Sequence, residues 1–148
     1  MNPYREIDLT DWPRATHCAV FREHLLPSYC VTAELDITRF LAQVRAQGWS
    51  FTLAMTYAAC RCAHAVEAFR YRFVADKVVL FDRIDTAFTW LEPESELFKV
   101  VTVPLCPTMR EYVALAAETA RRQTAYFTGP LGTDVFQCSA LPWVRYTH

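Results

Sequence analysis

The segment SALPWVRYTH occupies residues 139–148 and differs from an ordinary end of a domain. It begins as a strand-like apolar run, contains the pair Pro142 and Trp143, and continues with aromatic and ionisable side chains. Terminal segments of domains are usually polar and poorly ordered. The pattern therefore predicts that residues 139–148 belong to a core element that is unfinished at residue 148.

Length and composition predict one domain with an interface. A chain of 148 residues is long enough for a single core and too short for two comfortable ones. Hydrophobic residues make up 53% of the sequence and aromatic residues 14%, more than one small core needs. The sequence has only three glycines and no internal repeat, so no segment is predicted to be a linker. We expect one domain over residues 1–148 that buries part of its apolar surface against a partner.

Charge and cysteine usage exclude several classes of function. The net charge is −1 and both signs are interspersed, which argues against binding to nucleic acid or to an anionic membrane. No apolar stretch reaches the roughly 20 residues of a membrane span. The first residues resemble no signal peptide, and most of the six cysteines lie in apolar runs, so a cytoplasmic location is predicted. No cysteine spacing matches a zinc motif, so no metal site is expected.

Periodicity and capping residues predict an α+β fold. Asp36 or Thr38 is a suitable N-cap, Ser50 is another, and Thr108 with Glu111 has the spacing of a capping box. The apolar helix that follows Ser50 is expected to be buried on all sides. Consecutive strands in the middle of the chain predict a meander. Helices are predicted at residues 12–25, 38–47, 51–69 and 109–123, and strands at 4–9, 29–37, 70–74, 77–82, 86–91, 98–103 and 134–141.

Several of these residues resemble the chloramphenicol acetyltransferase family, and the resemblance runs over nearly the whole chain. LDIT alone is a weak signal, but LDIT, Phe-Arg and SALPW in this order are fairly specific. The residues that carry the resemblance are Trp12, His17, LDIT (35–38), Phe51, Phe69, Arg70, Asp82 and SALPW (139–143).

The resemblance implies a fold and an assembly. The fold would be a two-layer α/β sandwich with a mixed, mainly antiparallel sheet and helices packed on it. The assembly would be a homotrimer, or another homo-oligomer, with active sites between subunits.

The resemblance also implies an activity. An acetyl-CoA-dependent O-acetyltransferase would transfer the acetyl group of its co-substrate to chloramphenicol or another small aromatic alcohol, which in the family confers antibiotic resistance. The acceptor is open, because FRYRF and the final YTH are more typical of divergent members.

The general base is the main departure from the family. Attack by an alcohol on a thioester needs a base for the hydroxyl proton, and neutral imidazole serves this at cellular pH. The family supplies it in a motif His-His-x-x-x-Asp-Gly, which this sequence does not contain. The expectation at this point is a chain truncated at its C-terminus and inactive by itself.

The resemblance assigns candidate site residues by position. His148 stands where the family has the serine that stabilises the oxyanion. Its ring is either a hydrogen-bond donor in that role or a solvated side chain. An aromatic acceptor pocket is implied for Phe21, Leu25, Tyr29, Phe98 and Phe127, although each of these alone is more typical of a core.

The remaining histidines and one arginine are interpreted as structural. His17 is expected to make local hydrogen bonds, whereas His24 and His64 lie on predicted helices without a nucleophile or acid at catalytic spacing. Arg70 is expected to hold the fold through a buried ion pair.

Two alternatives remain. The chain is an interaction subunit or remnant that binds sister subunits or aromatic ligands without turnover. A weaker comparison is the acyltransferase domain of 2-oxo acid dehydrogenase complexes, although LDIT and SALPW favour the chloramphenicol branch.

Overall fold

The computed structural model describes residues 1–92, 95–141 and 144, which contain four α-helices and six strands. None of the described helices is long and apolar enough to cross a membrane. The strands are β1 (Tyr4–Glu6), β2 (Tyr71–Val74), β3 (Lys77–Phe81), β4 (Asp85–Leu91), β5 (Phe98–Val103) and β6 (Val135–Cys138). The helices are α1 (Ala15–Arg22), α2 (Thr38–Ala46), α3 (Phe51–Ala65) and α4 (Met109–Arg122), with a short 3-10 turn at Glu67–Arg70.

The predicted N-caps of α3 and α4 are confirmed by their hydrogen bonds. The predicted cap of α2 at Asp36 or Thr38 is wrong, because Ile37 occupies the N-cap, and the helix expected from residue 12 begins at Ala15. The Asp36 carboxylate accepts a bond from the backbone N–H of Thr38, and the Ser50 hydroxyl accepts one from that of Leu53. At the start of α4, Thr108 and Glu111 accept each other's backbone N–H groups, which is a complete capping box. These bonds satisfy donors that the first turn of a helix leaves free.

The strands form two sheets, so the prediction of a meander is wrong. The first sheet has the order β1-β3-β2 and is antiparallel; the second has the order β5-β4-β6. In the second sheet β4 pairs antiparallel with β5 and parallel with β6. Residues 82–84 connect β3 in the first sheet to β4 in the second. The strand β4 does not continue the first sheet, because both of its neighbours, β5 and β6, come later in the chain.

The predicted strand at residues 29–37 is also wrong. This stretch has no regular secondary structure, and Val31 and Leu35 are exposed. An extended segment becomes a strand only when its backbone groups bond to a neighbour. In the described part of the chain no strand lies beside it.

The main core lies between the second sheet and the helices α2, α3 and α4. The helix α3 buries one face, while Phe51, Ala59 and Cys62 remain exposed, so the prediction that it is buried on all sides is wrong. A smaller buried cluster is formed by Val79 and Phe81 of β3 and by Ile84, which follows that strand. The main core contains Val44, Leu53, Ala54, Tyr57, Phe88, Val101, Val103, Tyr112, Val113, Ala116 and Ala120.

The result is an α+β fold in which helices cover one face of the second sheet. The fold class predicted from the sequence is confirmed.

Candidate functional site

The candidate site lies on the face of the second sheet that is turned away from the helices. Side chains alternate between the two faces of a strand. In β5, Lys99, Val101 and Val103 are buried toward the helices, while Phe98 and Thr102 point outward. The outward face is therefore left open to contain a cavity.

A cavity of about 770 Å³ occupies this outward face. Drug-sized ligands bind in cavities of roughly 300–1,000 Å³, so its size suits a small molecule. Its walls come from β4, β5 and β6, the loop that follows α4, and the start of the chain. The lining residues that bear on its chemistry are Asp85, Thr89, Phe98, Thr102, Phe127, Asp134, Gln137 and Ser139.

The aromatic wall of the cavity is Phe98 and Phe127, whose ring centroids are 6.2 Å apart in an edge-to-face arrangement. Two bonds bring the loop of Phe127 to β5. The Gln123 amide donates to the carbonyl oxygen of Val100 at 2.8 Å. The N–H of Val100 donates to the carbonyl oxygen of Tyr126 at 2.9 Å. The end of α4 thus positions Phe127 against Phe98.

The polar end of the cavity is organised by Asn2. Its side-chain amide donates to Asp85 Oδ2 at 2.9 Å, and its backbone N–H donates to Asp134 Oδ2 at 2.6 Å. The Arg83 guanidinium donates to Asn2 Oδ1 at 2.7 Å and pairs with Asp85 Oδ1 at 2.9 Å. The Asp85 carboxylate also accepts the N–H of Leu105 at 3.0 Å, so its oxygens already have partners within the fold.

A second cavity of about 450 Å³ adjoins the first and shares Thr89, Phe98 and Ser139 with it. The Thr89 and Ser139 hydroxyl oxygens are 3.5 Å apart. Each hydroxyl can donate or accept a hydrogen bond, so this shared wall can orient a polar group in either cavity.

The structure brings together two of the predicted pocket residues. Phe98 and Phe127 line the larger cavity, but Phe21, Leu25 and Tyr29 do not line either cavity and are exposed in the described structure. The assignment of those three to an acceptor pocket stays a prediction. His148 lies outside the described residues, so its predicted role is a prediction as well.

No histidine lines either cavity in residues 1–92, 95–141 and 144. His24 Nδ1 lies 2.9 Å from the carbonyl oxygen of Val20 on its own helix, and His17 is exposed. His64 is half-buried, and burial followed by the nearby Arg70 cation lowers its pKa. These three positions offer no base for a ligand bound in the cavities.

Arg70 holds the fold in a different way from the one predicted. Its Nη1 donates to the carbonyl oxygen of Phe81 at 2.6 Å, and in the described ranges it forms no ion pair with a carboxylate. The expected buried ion pair is therefore wrong. A guanidinium also binds carbonyl oxygens, and this one joins the turn after α3 to the end of β3.

Sequence reasoning missed Thr89, Ser139, Asp85 and Asp134 as lining residues. Thr89 carried no clear sequence signal, because polar and apolar residues do not alternate along β4. Asp85 and Asp134 are brought together by the pairing of β4 with β6 and by the bonds of Asn2 to both, which a single sequence does not reveal.

Among the described residues no group of three or more His, Cys, Asp or Glu side chains is arranged to hold a metal ion.

Comparison with known proteins gives one consistent family. The family model for chloramphenicol acetyltransferase matches residues 1–148. The chain is 27% identical to chloramphenicol acetyltransferase 2 of Haemophilus influenzae over 97% of its own length and 69% of that protein. It is 31% identical to the chloramphenicol acetyltransferase of Streptomyces acrimycini over 95% of its length and 66% of that relative.

A solved structure supports the same fold. A chloramphenicol acetyltransferase superposes with a TM-score of 0.80 at 24% identity, over 99% of this chain and 69% of the other. The chain thus spans about two thirds of the length of these relatives. With the family model matched from the first residue to the last and the fold shared, the chain belongs to the chloramphenicol acetyltransferase family.

Proposed function

We propose that this chain is a chloramphenicol acetyltransferase-like protein that binds a small aromatic alcohol, such as chloramphenicol, together with acetyl-CoA. The chain is one domain over residues 1–148 and works in the cytoplasm. The observation that carries the proposal is the cavity on the outward face of the second sheet, in a chain that the family model matches throughout.

The lining of that cavity suits such an acceptor. Phe98 and Phe127 offer apolar faces to an aromatic ring, and their edge-to-face pairing leaves both partly exposed to a ligand. Hydroxyls of Thr89 and Ser139 lie at the wall shared with the second cavity. We propose that the acceptor lies against the two rings and that the second cavity receives part of the acetyl-CoA.

The transfer itself makes two demands on the protein. A base must take the acceptor's hydroxyl proton while its oxygen attacks the thioester carbon, and a donor must stabilise the oxyanion until the coenzyme A thiolate leaves. We propose His148 as the oxyanion donor. No residue of this sequence stands in the family's histidine motif, and we propose that the 148 residues alone bind their substrates without turnover.

Self-association is part of the proposal. Leu25 is 96% exposed and Tyr29 is 84% exposed, in an apolar segment that follows α1. Contiguous exposed apolar patches typically mark interfaces. We propose that a sister subunit covers this segment in a homotrimer, and that Phe21, Leu25 and Tyr29 complete the acceptor pocket of Phe98 and Phe127 across the subunit interface.

An alternative function has an observation in its favour. The cavities lack an imidazole in the described part of the chain, which is consistent with a protein that binds aromatic ligands or sister subunits and performs no chemistry. This alternative shares the binding cavity with the main proposal, and turnover separates the two.

Binding is tested by calorimetric titration of the whole chain with chloramphenicol and, separately, with coenzyme A. Phe98→Ala should weaken chloramphenicol binding by about two- to tenfold, because an aromatic contact is worth roughly 0.5–1.5 kcal/mol beyond burial. Phe73→Ala is the matched control, because Phe73 is 48% exposed and Phe98 47%, and Phe73 lies in the first sheet. Equal loss in both variants, or no binding by the parent chain, contradicts the proposed acceptor cavity.

Turnover is tested by release of the coenzyme A thiol from acetyl-CoA in the presence of chloramphenicol. The Haemophilus influenzae relative serves as the positive control. Thiol release above the rate without chloramphenicol would contradict the proposed inactivity of these 148 residues. Chloramphenicol binding without thiol release supports it.

Oligomeric state is tested by sedimentation velocity. We expect an assembly larger than a monomer that Leu25→Glu shifts toward monomer, because a charge placed in an apolar interface loses its hydration. Glu34→Gln, which leaves the apolar side chains of the segment intact, should leave the assembly unchanged. A compact monomer of the parent chain contradicts the proposed interface.

A further inference from the structure

Two cysteines that take no part in either cavity wall lie side by side between α3 and β6. Cys60 Sγ and Cys138 Sγ are 3.6 Å apart, and the two residues are separated by 78 positions in the chain. Cys60 is 2% exposed, whereas Cys138 is half-buried at the last position of β6. The fold therefore holds a thiol pair that only its tertiary structure brings together.

The pair is distinct from the other four cysteines. Cys30 and Cys62 are exposed, Cys18 and Cys106 are half-buried, and no second thiol-thiol contact occurs in the ranges that the structure describes. A disulfide requires its sulfurs to be about 2.05 Å apart. The two sulfurs would have to approach each other by roughly 1.5 Å to form this bond.

We propose that Cys60 and Cys138 are a redox-modification site, which a peroxide converts into an intrachain disulfide between α3 and β6. In a reducing compartment such bonds are usually transient and redox-responsive. The proposal does not depend on the acetyltransferase function proposed above.

The two thiols have different roles in this oxidation. The hydrogen bond from the Cys60 thiol lowers the pKa of Cys138, while that same bond and then burial raise the pKa of Cys60. Cys138 is also the more exposed of the two. Because the thiolate is the nucleophile, Cys138 reacts first with the peroxide and Cys60 resolves the product.

The atoms and electrons balance as follows. The Cys138 thiolate attacks one oxygen of hydrogen peroxide, the O–O bond breaks, and a sulfenic acid forms while the hydroxide that leaves takes up the Cys138 thiol proton as water. The Cys60 sulfur then attacks the Cys138 sulfur, the S–O bond breaks, and the hydroxyl leaves with the Cys60 proton as a second water. Two thiols lose two electrons and two protons in total, and the peroxide is reduced to two molecules of water.

The disulfide would restrain a part of the fold that borders both cavities. Cys138 pairs with Phe88 of β4 and is followed directly by Ser139, which lines the two cavities. A bond from Cys138 to the buried Cys60 ties the end of β6 to the middle of α3. It also closes a loop of 78 positions, which restricts the unfolded chain.

The test uses the whole folded chain and hydrogen peroxide as the only oxidant. Peptide mapping under non-reducing conditions should find a Cys60–Cys138 linked peptide that lacks two hydrogen atoms and that dithiothreitol separates. The melting temperature of the oxidised chain should be higher by roughly 5 °C or more than that of the reduced chain.

Three variants complete the test. Cys138→Ser should abolish the linked peptide and the rise in melting temperature, and Cys60→Ala should leave Cys138 oxidised without a cross-link. Cys62→Ser is the matched control, because Cys62 is exposed on the same helix, and it should retain both effects. If peroxide produces no Cys60–Cys138 peptide in the parent chain, or joins Cys30 and Cys62 in preference, the proposal is wrong.

Discussion

The hydroxyl oxygens of Thr86 in β4 and Tyr112 in α4 lie 2.7 Å apart, and both residues are fully buried. Thr86 donates its own hydroxyl proton to the carbonyl oxygen of Val103 at 3.0 Å. A hydroxyl has one proton to donate, so Tyr112 is the donor to Thr86. This chain of two bonds joins α4 to the sheet whose opposite face contains the candidate site.

Removal of the Tyr112 hydroxyl should weaken that connection. Tyr112→Phe keeps the ring that packs beside Tyr57, with centroids 5.3 Å apart, but it loses the bond to Thr86. We expect a loss of about 1 kcal/mol and a melting temperature lower by roughly 3–5 °C, measured by circular dichroism. Tyr126→Phe alters a partly exposed tyrosine and should change little. Equal stability of the parent chain and Tyr112→Phe would contradict a role for this bond.

Alkaline pH should destabilise the fold through the same residue. Burial raises the pKa of Tyr112 above its ordinary value of 10.0. Above pH 10 the unfolded chain therefore releases this proton while the folded chain retains it, so the free energy of unfolding falls as pH rises. One proton accounts for at most about 1.4 kcal/mol per pH unit. Urea unfolding between pH 9 and 11 should show a shallower decline in Tyr112→Phe, and identical slopes would contradict the prediction.

The capping box of α4 should contribute to stability as a local unit. Thr108→Ala removes the side chain that accepts the N–H of Glu111, and we expect a cost of about 1 kcal/mol in chemical unfolding. Thr119→Ala on the same helix is the control. The Thr119 hydroxyl bonds back to the carbonyl oxygen of Leu115, and alanine is the better helix former there, so no loss is expected. A similar loss in both variants would show that the cap has no special contribution.

The β2–β3 turn contains a strained residue that glycine should relieve. Ala75 has a φ of 51°, a conformation that costs an L-residue about 1–2 kcal/mol. Ala75→Gly should remove that conformational cost. Glycine also gives the unfolded chain more conformational freedom, which offsets part of the gain, so we expect a net stabilisation of about 0.5–1 kcal/mol.

Gly48 provides the reverse experiment for that prediction. It has a φ of 66° and no atom within 4 Å of the position that a side-chain carbon would take, so Gly48→Ala adds backbone strain without a clash. A loss of about 0.5–1 kcal/mol is expected. If both substitutions changed thermal unfolding in the same direction, backbone strain would not be the cause.

Local features of the fold were predictable from sequence because they depend on neighbouring residues. The bonds of Asp36 to Thr38 and of Thr108 to Glu111 join residues within one turn of chain. The turn at Ala75 and Asp76 separates two runs that pair directly with each other. Such patterns predicted the first residues of α2, α3 and α4 and the hairpin correctly, whereas the helix expected from residue 12 begins at Ala15.

Features that depend on distant partners were not predictable in this way. The stretch at residues 29–37 has the alternation of a strand, yet it lies beside no strand in the described chain. The residues of the acceptor pocket also depend on contacts between distant parts of the chain. Phe98 and Phe127 meet because Gln123 bonds to Val100, whereas Phe21, Leu25 and Tyr29 are placed only by resemblance.

The sequence by itself determined the caps of α3 and α4, the central hairpin and the family, because each follows from residues close together or from motifs in order. Tertiary structure alone decided that β4 lies between β5 and β6, that Asn2 joins Asp85 to Asp134, and that Cys60 meets Cys138. The physical reason is that burial of a whole sheet face selects which distant strands pair. This burial energy is summed over many residues, and no single stretch of sequence contributes enough of it to be recognised.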